Sequence, residues 1–409
     1  MKMYMEALLD RWLWWHEYWL PPGITWDDME MEGGTPRPRD LLATLPLALG
    51  FVGLRFVFER AVARPLSVQL GVRDRIRVRV SPVSELESFY NQNSHQPSQS
   101  SIISLSKKCD LTQRQVETWF RHRRNQDRPS NTKKFCEACW RFAFYLLAFF
   151  VGLASLINAP WLWDQRACWH GYPKQSIAEA HYWYYAMELA FYWSLLLCVS
   201  VDVKRKDFKE QIIHHVTTIF LIGFSYCANY VRIGTLVLMI HDSTDILLES
   251  AKMLNYAGWK KICDVLFVIF AVLFLVTRLV LFPGKIIHAT LVLSMEFFKP
   301  FFGYYFFNVL LLVLQALHVF WAWLILRMVY KFIFLGKVKR DERSDEESSD
   351  EEDERADEED VSARNERECA LKSKLTVLSN CVLNNFSNRR KGSTCTMPKT
   401  SFRTMEKPN

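Results

Sequence analysis

This chain of 409 residues has no cysteine framework, no histidine box and little net hydrophobicity. Its ten cysteines are scattered. Cys136 and Cys139 form one CxxC, but no second CxxC or histidine pair follows at zinc spacing, so reduced or buried thiols are expected and no metal site. The ten histidines never fall as HxxxH or HxxHH, the spacings of desaturase-type metal centres. No signal peptide is expected, because Asp10, Arg11, His16 and Glu17 interrupt the apolar residues before Leu20. Leu8, Leu9, Leu13 and Trp19 suggest instead a short interfacial helix that Pro21 and Pro22 end.

A mean hydropathy of −0.04 and 23% charged residues would suit a soluble protein. The average hides a segregation of charge. The segment 341–360 alone holds 14 acids and two arginines, and removing it from the 44 acidic and 51 basic residues leaves 30 against 49. That basic body suits an anionic membrane surface or an anionic substrate. With 15 Trp, 15 Tyr and 29 Phe there is ample aromatic material for membrane interfaces.

Seven apolar stretches are each long enough, at about 1.5 Å per residue, to cross about 30 Å of hydrocarbon. They cover 41–58, 139–157, 180–201, 208–229, 231–253, 262–292 and 302–332, with six or eight spans as neighbouring counts. The fourth and fifth, nearly contiguous, suggest a tight antiparallel hairpin. The expected fold is therefore all-α and integral to the membrane. Residues 1–40 precede the first span (41–58), 67–130 form a soluble segment, 131–335 the main membrane body, and 336–409 a polar tail too acidic to bury a core. Basic loops at 60–134, at Lys204, Arg205, Lys206 and Lys209, at Lys260 and Lys261, and at Lys337, Lys339 and Arg340 all fall on one side of seven spans. The positive-inside rule then places the N-terminus in the lumen and the C-terminus in the cytosol, where the sequon at Asn385 would stay unmodified.

Ionisable residues at membrane depth are costly and so are functional candidates. His214 and His215 lie roughly 9 Å into the fourth span; Asp242 and Asp245, one turn apart on the fifth, fall at similar depth with His241 and Glu249 nearby. Three readings stay open from spacing alone: an acyl-transfer site with an imidazole as nucleophile or base, a metal centre, and a polar network that only holds helices together.

The run DVKRKDFKEQIIHH ending at His215, followed by ANYVRIGTLVLMIHDSTDILLESAKM ending at Met253, resembles the signature region of the ceramide synthase family. WLPPGITW, KKFCEACWRFAFY and PFFGYYFFN extend the likeness over most of the membrane body. The resemblance implies transfer of a fatty acyl group from acyl-CoA to sphinganine or sphingosine in the endoplasmic reticulum, without a cofactor. It also implies six helices in a ring around a lipid tunnel (the TLC domain), one extra span before them, and homo- or heterodimers among relatives. The family's paired histidines fall on His214 and His215 and its aspartates on Asp242 and Asp245. His214 would then attack the thioester and the sphingoid amine would attack the acyl-imidazole, while His215 and the aspartates tune and relay protons. Lys204, Arg205, Lys206 and Lys209 could meet the CoA phosphates or be no more than positive-inside charges. Chain-length preference in the family is attributed to the loop that here comprises Ser294, Met295, Glu296, Phe297, Phe298, Lys299, Pro300, Phe301, Phe302, Gly303 and Tyr304. Its sequence looks most like the members using long and very long chains.

WFRHRRNQ, from Trp119 to Gln126, resembles a homeodomain recognition helix within a three-helix cytosolic module. An adenine-reading Asn should follow the Trp by three residues, yet His122 stands there, which argues against DNA as a partner. Arg121, Arg123 and Arg124 could meet lipid headgroups or CoA instead. Ser344, Ser348 and Ser349 each precede an acid by three residues, the pattern read by casein kinase two. The rival functions are a non-catalytic lipid sensor or carrier and a membrane-tethered transcription regulator.

Overall fold

A computed structural model describes residues 15–30, 34–74, 77, 79–92 and 97–335. The tail, with Lys337, Lys339, Arg340, Ser344, Ser348, Ser349 and Asn385, and the residues Leu8, Leu9 and Leu13 lie outside the described residues.

Seven long helices occur among the described residues, at the seven positions expected. The first, α1 (Pro38–Gln69), runs eleven residues beyond the expected end at Phe58. Arg60 and Arg64 do not stop a helix, Pro65 is accommodated by a wide π-helical turn at Glu59–Ala63, and the chain breaks only at Gly71, whose φ is +78°. Ser67 therefore belongs to this helix and not to the soluble segment. Three short helices follow, α2 (Ser84–Gln92), α3 (Gln99–Cys109) and α4 (Gln113–Asp127). They bury Leu86, Tyr90, Ile102, Leu105, Val116, Trp119 and Phe120 against one another. The Trp119 indole donates to the Ser81 carbonyl at 2.9 Å.

The membrane body comprises α5 (Asn131–Leu156), α6 (Glu179–Cys198), α7 (Phe208–Cys227), α8 (Val231–Tyr256), α9 and α10 (Phe302–Leu335). The α5 helix begins eight residues before the expected Cys139, because the Ser130 hydroxyl accepts from the Lys133 N–H as an N-cap. The α9 helix is α-helical over Lys260–Leu275, widens into π-helical turns over Val276–Ile287, and closes with His288–Leu291. Pro283 explains the widening, since its ring clashes with the carbonyl four residues back and it offers no N–H.

Packing closes these helices into a ring in the order α5, α8, α9, α10, α7, α6 and back to α5, with α1 outside against α6. Phe51 of α1 sets its ring edge-on to Phe144 and Phe191. The turn linking α7 to α8 is tight, with Asn229 in the left-handed region at φ +56°. The two helices nevertheless pack little along their length and line opposite sides of a cavity, so the expected close hairpin holds only at the turn.

Four helical stretches are apolar and long enough to cross a membrane by length and composition: Pro38–Gln69, Gln113–Leu156 (which ends in α5), Lys260–Glu296 and Phe302–Phe334. Leu49 and Phe56 on α1, Val272 on α9 and Trp323 on α10 are exposed on their outer faces, as lipid contact requires. The other three, α6, α7 and α8, carry most of the ionisable residues of the interior.

One end of the ring is covered by aromatics. Trp19 stacks on Phe224 at 5.1 Å and Tyr18 meets Phe302, so His16–Trp19, the described end of the expected interfacial helix, sits where α7 ends and α10 begins. Trp169, from the 157–178 connection, is buried and donates to the Ala289 carbonyl at 3.0 Å. Charged residues gather at the other end: Asp202 takes Arg55 of α1 at 2.7 Å and Arg141 of α5 at 2.8 Å. Among the described residues, the loop that carries Asp202 thus meets α1 and α5 at the end opposite the aromatic one.

Candidate active site

The ring encloses a cavity of about 100 Å³ lined by His214, His215, Asp245, His241, Arg278 and His318. At its mouth stand Arg141, Arg205, Asp207, Glu249 and Lys252. A second cavity of about 30 Å³ is mostly apolar, lined by Leu221, Ile222, Val237, Leu238, Phe307, Leu311 and Leu314, with Tyr185, Tyr192, Thr218 and Ser225. His241 borders both. A polar chamber and an apolar one therefore lie side by side, and along α7 the distance from His214 to Phe224 is about 15 Å at 1.5 Å per residue.

His214 and His215 are neighbours with ring centroids 5.6 Å apart, and His214 meets the Trp321 ring edge-on at 5.4 Å. The Trp321 indole is held by the Asp207 carboxylate at 3.1 Å, which fixes the wall against which His214 rests. Among the described residues neither histidine's Nδ1 meets a hydrogen-bond partner. A buried nitrogen without a partner is expensive as structure, which makes both histidines candidates for a chemical role.

The aspartates are placed differently from one another. Asp245 lines the chamber, 3.9 Å from Arg278. Asp242 is buried on the α6 side, where the Tyr184 hydroxyl donates to it at 3.0 Å, with the fully buried Glu188 beside it. The residue spacing that puts both on one helix face thus divides them between the chamber and its wall.

Arg278 was not singled out from the sequence, although an arginine inside a 31-residue apolar stretch, 262–292, is itself a signal. It is 2% exposed, donates to the Thr244 hydroxyl at 2.5 Å and to the His241 carbonyl at 3.1 Å. Its Nε and Nη1 are buried without a partner among the described residues. The widened turns of α9 carry it, as π-helical insertions at functional sites often do. His318, a single histidine within the apolar 302–332 stretch, also lines the chamber; its Nε2 lies 3.1 Å from His241 Nε2.

Of the four basic residues 204, 205, 206 and 209, only Arg205 lines the chamber; Lys204, Lys206 and Lys209 are exposed near it. Arg141 and Lys252 complete the basic mouth. The 294–304 segment lies at the far end. Its Ser294 is buried with the hydroxyl donating to Thr290 O at 2.6 Å, and Glu296 pairs with Arg166 at 3.3 Å. Phe298 packs on Tyr172 at 4.7 Å and Trp169 at 5.6 Å. Phe302, Gly303 and Tyr304 form the first turn of α10 and not a loop. No group of three His, Cys, Asp or Glu side chains able to hold a metal occurs among the described residues.

In the three-helix module, Arg123 is turned inward. It bonds Glu87 at 2.9 Å and lies over the Tyr90 ring at 4.7 Å. A recognition helix that spends this cation on its own module has less to offer a phosphate backbone.

Residues 134–327 match the protein-family model described as the TLC domain, and residues 72–129 match that of the homeodomain. The chain is similar to ceramide synthase 4 of Homo sapiens, at 51% identity over 348 residues, 85% of this chain and 88% of that protein. It is 49% identical to ceramide synthase 3 of Homo sapiens, covering 82% and 88%. Ceramide synthase 5 of Homo sapiens is 46% identical, covering 85% and 89%.

Proposed function

This chain belongs to the ceramide synthase family, and from that premise we propose how its chamber carries out sphingoid base N-acylation. The observation that carries the reading is the buried, partnerless Nδ1 of His214 in one cavity with the partnerless donors of Arg278.

The acyl-CoA enters at the basic mouth, its phosphates near Arg205, Arg141 and Lys252 and its chain in the apolar cavity. A ring nitrogen of His214 attacks the thioester carbon, the carbon–sulfur bond breaks, and CoA leaves as the thiol with the imidazole's proton. Arg278 Nη1 and Nε stabilise the oxyanion of the tetrahedral intermediate. The sphingoid amine then attacks the acyl-imidazole, the new amide bond forms, and His214 leaves as neutral imidazole with the amine's proton. Asp245 holds Arg278, and His215 relays protons. Asp242 keeps α6 and α8 in register through Tyr184. The reaction needs no cofactor beyond its two substrates.

The same reading places the protein in the endoplasmic reticulum membrane with the basic mouth cytosolic and the aromatic end lumenal. It makes the 294–304 segment the stop for long or very long chains. It also makes Ser344, Ser348 and Ser349 substrates of casein kinase two, pairs the chain with itself or a relative, and excludes DNA as a partner of the module.

The test is expression of the intact chain and His214→Ala in membranes lacking other ceramide synthases, with labelled sphinganine and acyl-CoAs of graded length. Product from the intact chain and none from the variant at equal expression is expected. Undiminished product from His214→Ala would sink the mechanism.

A further inference from the structure

We infer that His318, not a member of the His214/His215 pair, is the base that receives the proton of the incoming sphingoid ammonium. The inference rests on the acyl-transfer reading above and adds the second substrate's place in it.

The argument begins with tautomers. His241 Nδ1 lies 2.7 Å from the Val237 carbonyl, four residues back on the same helix. A carbonyl only accepts, so that nitrogen carries hydrogen, and the neutral ring's Nε2 is then an acceptor. Across from it, 3.1 Å away, stands His318 Nε2. One hydrogen must lie between the two nitrogens, and it belongs to His318. The remaining nitrogen of the neutral His318 ring, Nδ1, therefore carries a bare lone pair. It is buried, and among the described residues nothing bonds it.

The ring is held for this orientation. His318 is 2% exposed, with Phe282 edge-on at 4.9 Å and Phe274 at 6.5 Å. Such walls cannot satisfy a lone pair, so the site retains an unmet acceptor. His318 lines the polar chamber with His214 and Arg278, while its partner His241 also borders the apolar one. An amphiphile with a cationic amine at the head of a long chain fits that junction.

The proton balance then closes. The ammonium gives one proton to His318 Nδ1 and becomes an amine with a free lone pair. That lone pair attacks the acyl carbon, the bond to His214 breaks, and the second amine proton leaves with the departing imidazole. His318 returns its proton to solvent through the chamber mouth.

The discriminating variant is His318→Gln, whose amide can still donate to His241 Nε2 but cannot accept a proton at the Nδ1 position. The experiment reads the two half-reactions of the intact protein in detergent: CoA release from acyl-CoA alone, and transfer to sphinganine across a pH series. His318→Gln is expected to release CoA as the wild type does, with the acyl-CoA KM unchanged. Transfer to sphinganine should fall by about 100-fold or more and recover as pH rises toward the amine's own pKa of about 10. Wild-type transfer by His318→Gln, or an equal loss of both half-reactions without recovery at high pH, overturns the inference. Should the wild type itself release CoA only after sphinganine is added, the acyl-histidine step is what fails. The His318 assignment is then decided by the pH recovery alone, whose absence overturns it.

Discussion

Gly234 on α8 makes the sharpest prediction about the ring's geometry. A Cβ built there would lie 1.6 Å from the Tyr185 hydroxyl and 2.9 Å from its Cζ. Tyr185 has nowhere to go: it is 1% exposed, and its hydroxyl lies 3.2 Å from Ser225 Oγ and 3.3 Å from the Val231 carbonyl. In an open helix, Gly→Ala stabilises by about 1 kcal/mol. Here overpacking costs about 1–3 kcal/mol, and stranding the buried groups that meet the hydroxyl adds a cost of similar size. The clash wins, and Gly234→Ala should lose about 2–4 kcal/mol, or roughly 5–15 °C in Tm for a body of this size. Thermal unfolding in detergent, followed by tryptophan fluorescence, measures it. Gly223→Ala on α7, where a Cβ meets nothing within 4 Å, is the control and should match or exceed the wild type. Adding Tyr185→Phe to Gly234→Ala should restore about 1 kcal/mol or more as a coupling energy. A Gly234→Ala protein that melts at or above the wild-type temperature would refute the close approach of α6 and α8.

Phe298→Ala removes ring contacts to Tyr172, Trp169 and Tyr230 at the closed end; in competition among acyl-CoAs of graded length the products should shift toward longer chains, and an unchanged distribution counts against a role in length selection. Trp169→Phe leaves the Ala289 carbonyl without its indole donor and should cost about 1–3 kcal/mol, read as a lowered Tm. In the three-helix module, burial and then the bond to Asp127 push the Tyr90 hydroxyl up to about 12 from its ordinary value near 10. Because the folded value is raised, the stabilisation is whole below about pH 10 and is lost as pH rises through about 12. The stability gap between wild type and Tyr90→Phe should therefore narrow between pH 9 and 12; a constant gap contradicts the assignment. Arg123→Ala should lower the module's resistance to proteolysis by breaking its bond to Glu87, whereas unchanged cleavage would mean the pair contributes nothing.

The helices were legible because length and apolarity are written locally: each of the seven stretches is helical, five of them within several residues of their expected bounds. What local sequence missed were the boundaries set by single groups. The Ser130 hydroxyl starts α5 early, and α1 outlasts its apolar run because nothing before Gly71 breaks it. The hairpin expectation failed for a related reason. Contiguity along the chain fixes the turn at Asn229, but the ring order of six helices is decided by which faces pack, and α8 finds α5 and α9 instead of α7.

The site was half legible on the same grounds. Histidines in tandem and acids one turn apart are local patterns, so His214, His215, Asp242 and Asp245 could be named from sequence. Their partners come from helices far along the chain: Tyr184 for Asp242, Arg278 for Asp245, and Trp321 beside His214. Two of those helices, α9 and α10, are so apolar that a lone Arg278 or His318 hardly alters their average, yet each sits where its charge or lone pair would be prohibitive facing lipid. Burial inside the ring removes that cost, and α6, α7 and α8, which would be poor spans alone, are sheltered by the same arrangement. The ring is thus the condition for the site: it lets polar groups gather at membrane depth, beside an apolar cavity that His241 also borders.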